Sequence, residues 1–141
     1  MLEAAAAAVP RTCLAFDFGT RRIGVASGNA LMGSGQARCT LQVAGTRHFD
    51  AIGKLIHEWQ PAALVVGVPF HPDGAAHENT LLARRFARQL QGRFNLPVHE
   101  VDERYTTTEA LASGATDADA ESAAIILTQF FNQMHDAATH A

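Results

Sequence analysis

The apolar run from Ala62 to Val68 is the feature that most constrains how this chain can fold. It reads Ala-Ala-Leu-Val-Val-Gly-Val, so neither face of an extended backbone would carry a polar side chain. Such a strand is typical of the interior of a sheet that helices cover on both faces. The run ends at Pro69 and is followed by a loop from Phe70 to Ala76. We therefore predict an α/β fold.

The segment before this run predicts an antiparallel meander. Apolar residues alternate in the first strand, and a short Gly-Thr-Arg turn separates it from the next apolar run. A glycine-rich loop, Gly28–Gly35, then leads to a third strand. The predicted strands are Cys13–Phe18, Arg22–Ser27 and Arg38–Val43.

The rest of the chain alternates between helical and extended patterns. Helices are predicted from Thr46, as N-cap, to Pro61, around Leu82, Phe86 and Leu90, over Thr106–Leu111, and over about Ala120–Met134. A further strand is predicted at Pro97–Val101. The order β-β-β-α-β-α-β-α-α predicts a mixed five-stranded sheet, an antiparallel meander plus parallel strands, flanked by helices.

The length and composition fit one domain. The chain has 141 residues, of which 48% are hydrophobic, and this is enough to build a core. We expect the domain at residues 12–134, with an N-terminal tail at 1–11 and a C-terminal tail at 135–141. No apolar run reaches the roughly 18 residues that a membrane span needs. Free thiols at Cys13 and Cys39, in a reducing cytoplasm, are the simpler interpretation, and one disulfide between them stays open.

Asp17 interrupts the first strand with a carboxylate, which is costly to bury unless it is paired or bound to a metal. In sheets of this kind, ligands gather at the carboxyl ends of the parallel strands. Asp17 lies near the end of its strand, and Asp102 and Glu103 lie at the end of theirs. These acids converge if the two strands are parallel and close together. Asp119, just before the last predicted helix, is a third acidic point.

Each of these acids also has a purely structural interpretation. Asp17 could brace the Gly-Thr-Arg turn, and the acids after the later strand could pair with Arg104. Asp119 or Asp117 could cap the final helix. Together, however, the acids favour Mg²⁺ or Mn²⁺, which prefer carboxylates, waters and phosphate oxygens as ligands. Two such ions can activate a water and stabilise the leaving oxygen of a phosphodiester.

The charge distribution is compatible with that chemistry. The net charge is −3, but residues 1–99 carry ten basic and six acidic side chains, whereas residues 100–141 carry one and eight. Carboxylates in the last third could hold cations while arginines elsewhere meet phosphates. The arginines at 84, 85 and 88 fit either phosphate contact or a solvated helix face. The seven histidines have no metal-ligand spacing, which speaks against a zinc site.

Four motifs occur in an order that resembles a known family. They are Asp17-Phe-Gly-Thr-Arg-Arg-Ile-Gly-Val-Ala, Val66-Gly-Val-Pro followed by Asp73-Gly74, Val101-Asp-Glu-Arg-Tyr-Thr-Thr, and Asp119-Ala-Glu-Ser-Ala-Ala-Ile-Ile-Leu. From about Cys13 to Asn132 the chain resembles the YqgF (RuvX) family of pre-16S rRNA nucleases, also called Holliday junction resolvase-like proteins.

The resemblance implies an RNase H-like fold and a cytoplasmic nuclease that uses Mg²⁺ or Mn²⁺. It implies metal-binding and catalytic roles for Asp17, Glu103 and Asp119, with Asp102 beside Glu103 as a further catalytic candidate. Phosphate-positioning roles are implied for Arg21, Arg104 and Thr107. The implied partners are precursor rRNA or its ribosomal particle, with structured DNA as an alternative substrate, and a monomer or homodimer. A non-catalytic rRNA-binding assembly factor is the rival hypothesis from another functional class.

Overall fold

The computed structural model describes residues 11–103 and 118–140. Within these residues the chain forms five strands and three helices. In chain order they are β1 (Thr12–Phe18), β2 (Arg22–Asn29), β3 (Ser34–Gln42), α1 (Arg47–Trp59), β4 (Ala63–Val68), α2 (Glu78–Phe94), β5 (Val98–Asp102) and α3 (Ala118–His140).

The strands form one mixed sheet in the order β3-β2-β1-β4-β5. The hairpin partners β1–β2 and β2–β3 are antiparallel, whereas β1–β4 and β4–β5 are parallel. This confirms the predicted meander with parallel strands added by β-α-β crossovers. The apolar run is an interior strand, as predicted, because Leu64, Val65 and Val66 are fully buried.

Helices α1 and α2 cover one face of the sheet. The strands contribute Leu14, Phe16 and Val66 to this larger core, in line with the predicted apolar face of β1. Phe86 of α2 lies at its centre, with its ring stacked on Phe18 at 4.8 Å between centroids and edge-on to Phe16 at 5.9 Å. These aromatic contacts hold α2 against the sheet at β1.

Helix α3 covers the other face. Its Ile126 and Leu127 pack with residues of the opposite parity in the strands, such as Ala15 and Val65. Towards β2 the contact is made by small side chains, namely Ala26, Ala123 and Ala124. Small residues bring helix and sheet backbones close together, so α3 is held tightly against β2 and β3.

The predicted glycine-rich loop Gly28–Gly35 is wrong, because β2 continues to Asn29 and β3 begins at Ser34. The turn is shorter, and Gly33 at φ 69° supplies its left-handed residue. Gly35 lies in the strand beneath α3, where a Cβ would come within 2.6 Å of the Ala124 carbonyl oxygen. This glycine therefore serves helix–sheet packing, which sequence cannot distinguish from a loop.

Other boundaries differ by smaller amounts. The third strand ends at Gln42, and β5 ends at Asp102. Thr46 is the N-cap residue of α1, as predicted, but its side chain makes no capping hydrogen bond. Helix α3 begins at Ala118 and continues to His140, so the predicted end near Met134 is wrong.

The remaining expectations have mixed outcomes. The predicted helix Thr106–Leu111 lies outside the described residues, as do residues 1–10, and the division into a domain with two tails stays a prediction. Cys13 and Cys39 are not joined by a disulfide. Among the described helices, none is long and apolar enough to cross a membrane.

Substitution of Phe86 by Ala is expected to lower the free energy of unfolding by about 3–5 kcal/mol, because a fully buried ring is replaced by a cavity. Leu81→Ala on the same helix is the control, since Leu81 is 63% exposed and its loss should change stability by less than about 0.5 kcal/mol. Urea denaturation measures both. Equal effects of the two substitutions would contradict this packing.

Candidate active site

Asp17 lies in a row of paired residues that crosses the sheet near the carboxyl ends of the parallel strands β1, β4 and β5. Its partner on β2 is Gly24, and its partner on β4 is Gly67, which in turn pairs with Val101 of β5. Paired residues point to the same face of a sheet. The Asp17 side chain is therefore on the α3 face, with a glycine on each side of it.

The two glycines leave the space that the site occupies. A Cβ at Gly24 would overlap the backbone of Asp119 at the start of α3. A Cβ at Gly67 would come within 2.5 Å of Glu103 Oε1 and would overlap the Ile126 side chain. Only glycine therefore lets the first turn of α3 and the Glu103 carboxyl both approach Asp17.

Asp17 and Glu103 are joined by a side-chain hydrogen bond, and Asp17 also accepts one from Ser122 of α3. Burial raises the pKa of Glu103 to about 8, and the charge of Asp17, its hydrogen bond and the charge of Asp102 act in the same direction. Glu103 thus holds the shared proton, and Asp17 is the acceptor.

Burial also raises the pKa of Asp17. The hydrogen bonds from Glu103 and Ser122 oppose that rise, because they stabilise the charged carboxylate, whereas the charge of Asp119 adds to it. The alternative role of Asp17, as a brace for the turn, finds no support in these contacts, which all come from residues beyond β2.

Asp119 is paired with Arg22. Asp119 Oδ2 lies 2.9 Å from Arg22 Nε, with the two side chains 34% and 60% exposed. Asp119 directly follows Ala118 within the first turn of α3, so its predicted place just before the helix is wrong. Its negative charge there is favoured by the helix dipole.

Asp102 and Glu103 point to opposite sides. Asp102 pairs with Val68. Val68 points to the same face of β4 as Val66, two residues earlier, and Val66 packs in the core beneath α1 and α2. Side chains alternate along a strand, so Asp102 is on that face. Glu103 follows the end of β5, and its carboxyl lies beside Gly67 on the α3 face with Asp17. Of the two adjacent acids, Glu103 is therefore the one that contacts the site.

The structure brings together only part of the predicted site. Asp17 and Glu103 are in contact, Asp119 lies beside them, and Arg21 is exposed on the turn. Arg104, Thr107 and Asp117 lie outside the described residues. Among the residues that are described, no group of three His, Cys, Asp or Glu side chains is arranged to hold a metal ion. The third acid is turned to Arg22 instead.

Sequence reasoning missed four residues of the site: Arg22, Gly24, Gly67 and Ser122. Each stands in one of the four motifs, but none was assigned a role. Counting outward from the predicted three-residue turn would pair Asp17 with Ile23. In the structure Gly19 lies opposite Arg22, so the turn is one residue shorter and Asp17 pairs with Gly24 instead. For Gly67 no such count exists, because the register of parallel strands is not set by a short turn.

The fold is RNase H-like. It is similar to the solved structure titled "T. thermophilus RuvC in complex with Holliday junction substrate", with a TM-score of 0.58 over 89% of this chain and 96% of that chain. The sequence identity is 14%, so this similarity concerns the fold.

Sequence comparison is more specific. The family described as "RuvX: Holliday junction resolvase" matches residues 11–133. A protein of Albidiferax ferrireducens named "Putative pre-16S rRNA nuclease" is 64% identical over 88% of this chain and 80% of its own length. A protein of the same name from a Polaromonas species is 59% identical over 88% of this chain and 90% of its own. The chain belongs to the RuvX family, as its motifs predicted.

Gly24→Ala is expected to destabilise the protein by about 1–3 kcal/mol, because the added methyl group displaces the first turn of α3. Gly92→Ala is the matched control: nothing lies within 4 Å of its Cβ position in α2, and Ala should stabilise that helix by about 0.5–1 kcal/mol. Thermal unfolding measures both variants. A neutral Gly24→Ala would contradict the close approach.

The stability of the protein in EDTA is expected to fall as the pH rises from about 4.5 to about 8. The pKa of Glu103 is raised from 4.5 to about 8, so in this range the folded chain keeps a proton that the unfolded chain has lost. Unfolding in urea across this pH range measures the slope. E103Q should lose this contribution and give a flatter curve, whereas a curve parallel to that of the wild type would contradict the raised pKa.

Proposed function

We propose that this chain is a divalent-metal-dependent nuclease that hydrolyses phosphodiester bonds near the 5′ end of precursor 16S rRNA, in the cytoplasm. The names of the RuvX-family relatives support the substrate. The contact between Asp17 and Glu103, with Asp119 beside it, is the observation that carries the chemistry.

The donor set fits Mg²⁺ or Mn²⁺. All three side chains offer oxygen atoms, which hard divalent cations prefer. Three carboxyl groups meet at this site, and two of them are already compensated. Glu103 retains a proton to about pH 8, and Asp119 is paired with the guanidinium of Arg22. A divalent cation would meet the same need for positive charge. Asp17, Glu103 and Asp119 are the proposed ligands, and Asp102, on the other face, is left out.

When bound, the metal would activate a water for attack on phosphorus and neutralise charge on the leaving oxygen. The chain's own residues prepare the site for it. Ser122 donates a hydrogen bond to Asp17 and so fixes the orientation of the central carboxylate. Glu103 would hold the metal in its deprotonated form, with its proton released to solvent. Arg21, Arg104 and Thr107 are proposed to hold the phosphates of the substrate, for which guanidinium groups are well suited.

Two rival functions remain to be separated from this one. The first is hydrolysis of four-way DNA junctions, which the family description favours. The second is binding of rRNA without cleavage, in assembly of the small ribosomal subunit. The rivals differ from the proposal in the substrate consumed and in the need for the acidic side chains.

Purified protein is expected to cleave RNA that carries the 5′ leader of 16S rRNA when Mg²⁺ or Mn²⁺ is supplied, and to lose at least about 100-fold in rate on Asp17→Asn or Glu103→Gln. Asp119→Asn should also lower the rate. Cleavage is followed on end-labelled RNA, with a four-way DNA junction and an unrelated RNA as parallel substrates.

Glu58→Gln is the matched control, because Glu58 is exposed at the end of α1 and its substitution also replaces one carboxylate by an amide. It should cleave at the wild-type rate. Faster cleavage of the junction than of the leader RNA would transfer the function to DNA. Tight RNA binding with no cleavage, unaffected by Asp17→Asn, would favour the assembly factor.

A further inference from the structure

The turn between β1 and β2 carries two adjacent arginines, and their positions relative to the acidic site differ. Arg22 is the first residue of β2 and shares the α3 face with Gly24, because alternate residues of a strand point the same way. Its guanidinium accordingly reaches Asp119, with Nε at 2.9 Å from Oδ2. Arg21 precedes the strand, and within the described part of the chain its backbone oxygen accepts a hydrogen bond from the Val43 N–H.

We propose that Arg22 is a resident counter-ion of Asp119 that a divalent cation must displace to complete its ligand set. The inference rests on the proposed function, because it concerns how the same site takes up its metal. It assigns a positioning role to a residue that the sequence motifs alone left without one.

The placement of Asp119 supports this role. Asp119 is close enough for its charge to act on Asp17, yet its carboxylate is engaged by Arg22. The backbone of the same residue is fixed against Gly24, so only the side chain can move between the arginine and the two other acids. Asp119 can therefore exchange one cationic partner for another without any movement of α3.

The exposure of the pair makes that exchange easy. The Arg22 side chain is 60% exposed and the Asp119 side chain 34%. Ion pairs in contact with solvent are weak, so a divalent cation bound by further carboxylates outcompetes the guanidinium. Once released, Arg22 stands at the rim of the site with its guanidinium free to bind a phosphate of the nucleic acid. Metal uptake and substrate binding would then be coupled through one side chain.

The test compares Arg22→Gln with Arg21→Gln, which removes the same charge from the neighbouring residue. Mn²⁺ binding to the full chain is measured without RNA, from the EPR signal of the free ion. Both variants lose one nearby positive charge, but only R22Q also frees Asp119. R22Q is therefore expected to bind Mn²⁺ about two- to fivefold more tightly than R21Q. R22K, which keeps the charge without the Nε donor, should lie between R22Q and the wild type.

A second measurement follows the arginine itself. In ¹⁵N spectra of the arginine Nε groups, with R22K used for assignment, Mg²⁺ should shift the Arg22 signal in the wild type and leave it unchanged in Asp17→Asn. If R22Q bound Mn²⁺ no more tightly than R21Q, the inference about Arg22 would be overturned. The proposed function would still stand in that case, provided that Asp17→Asn abolished Mn²⁺ binding. A wild-type chain that binds no Mn²⁺ would overturn both.

Discussion

The hydrogen bond between Asp17 and Glu103 is the interaction on which the architecture of the site depends. Two carboxyl groups approach each other inside a protein only when a proton or a cation lies between them. Here a glycine on each neighbouring strand, Gly24 and Gly67, provides the room, and burial raises the pKa of Glu103 to about 8 so that the proton stays. The strand ends that form the site are therefore held together by an interaction that would be unfavourable if both carboxyl groups were charged.

Helix α3 delivers the rest of the site because it packs so closely. Along β2 and β3 it meets small residues, including Ala26 and Gly35, and its first turn rests against Gly24. That position brings Ser122 to Asp17 and puts Asp119 beside it. The small residues beneath the helix therefore determine the distance between the acids, although none of them has any chemistry of its own.

The mixed sheet and the approach of the acids could be predicted from sequence. Hydrophobic periodicity is a local property, and the order of strands and helices along the chain restricts how the strands can be connected. The sequence did not resolve which of two adjacent residues faces the site. Asp102 is the last residue of β5 and Glu103 follows it, and Arg21 precedes β2 whereas Arg22 begins it. Which residue of each pair faces the site depends on where the strand ends, and a shift of one residue reverses the assignment. The segment Gly28–Gly35 was predicted wrongly for a different reason, because a glycine packed under a helix and a glycine in a turn look alike in sequence.

The proton on Glu103 and the guanidinium of Arg22 both reduce the repulsion among the three neighbouring carboxyl groups. Each supplies positive charge to an acid of the same cluster, and each is bound through a carboxylate that a divalent cation would also need. A cation that enters the cluster must therefore release a proton on one side and an arginine on the other. In the proposed metal site, metal affinity would therefore depend on pH through Glu103 and on the ion pair with Asp119 through Arg22, because a bound cation would have to replace both the proton and the guanidinium.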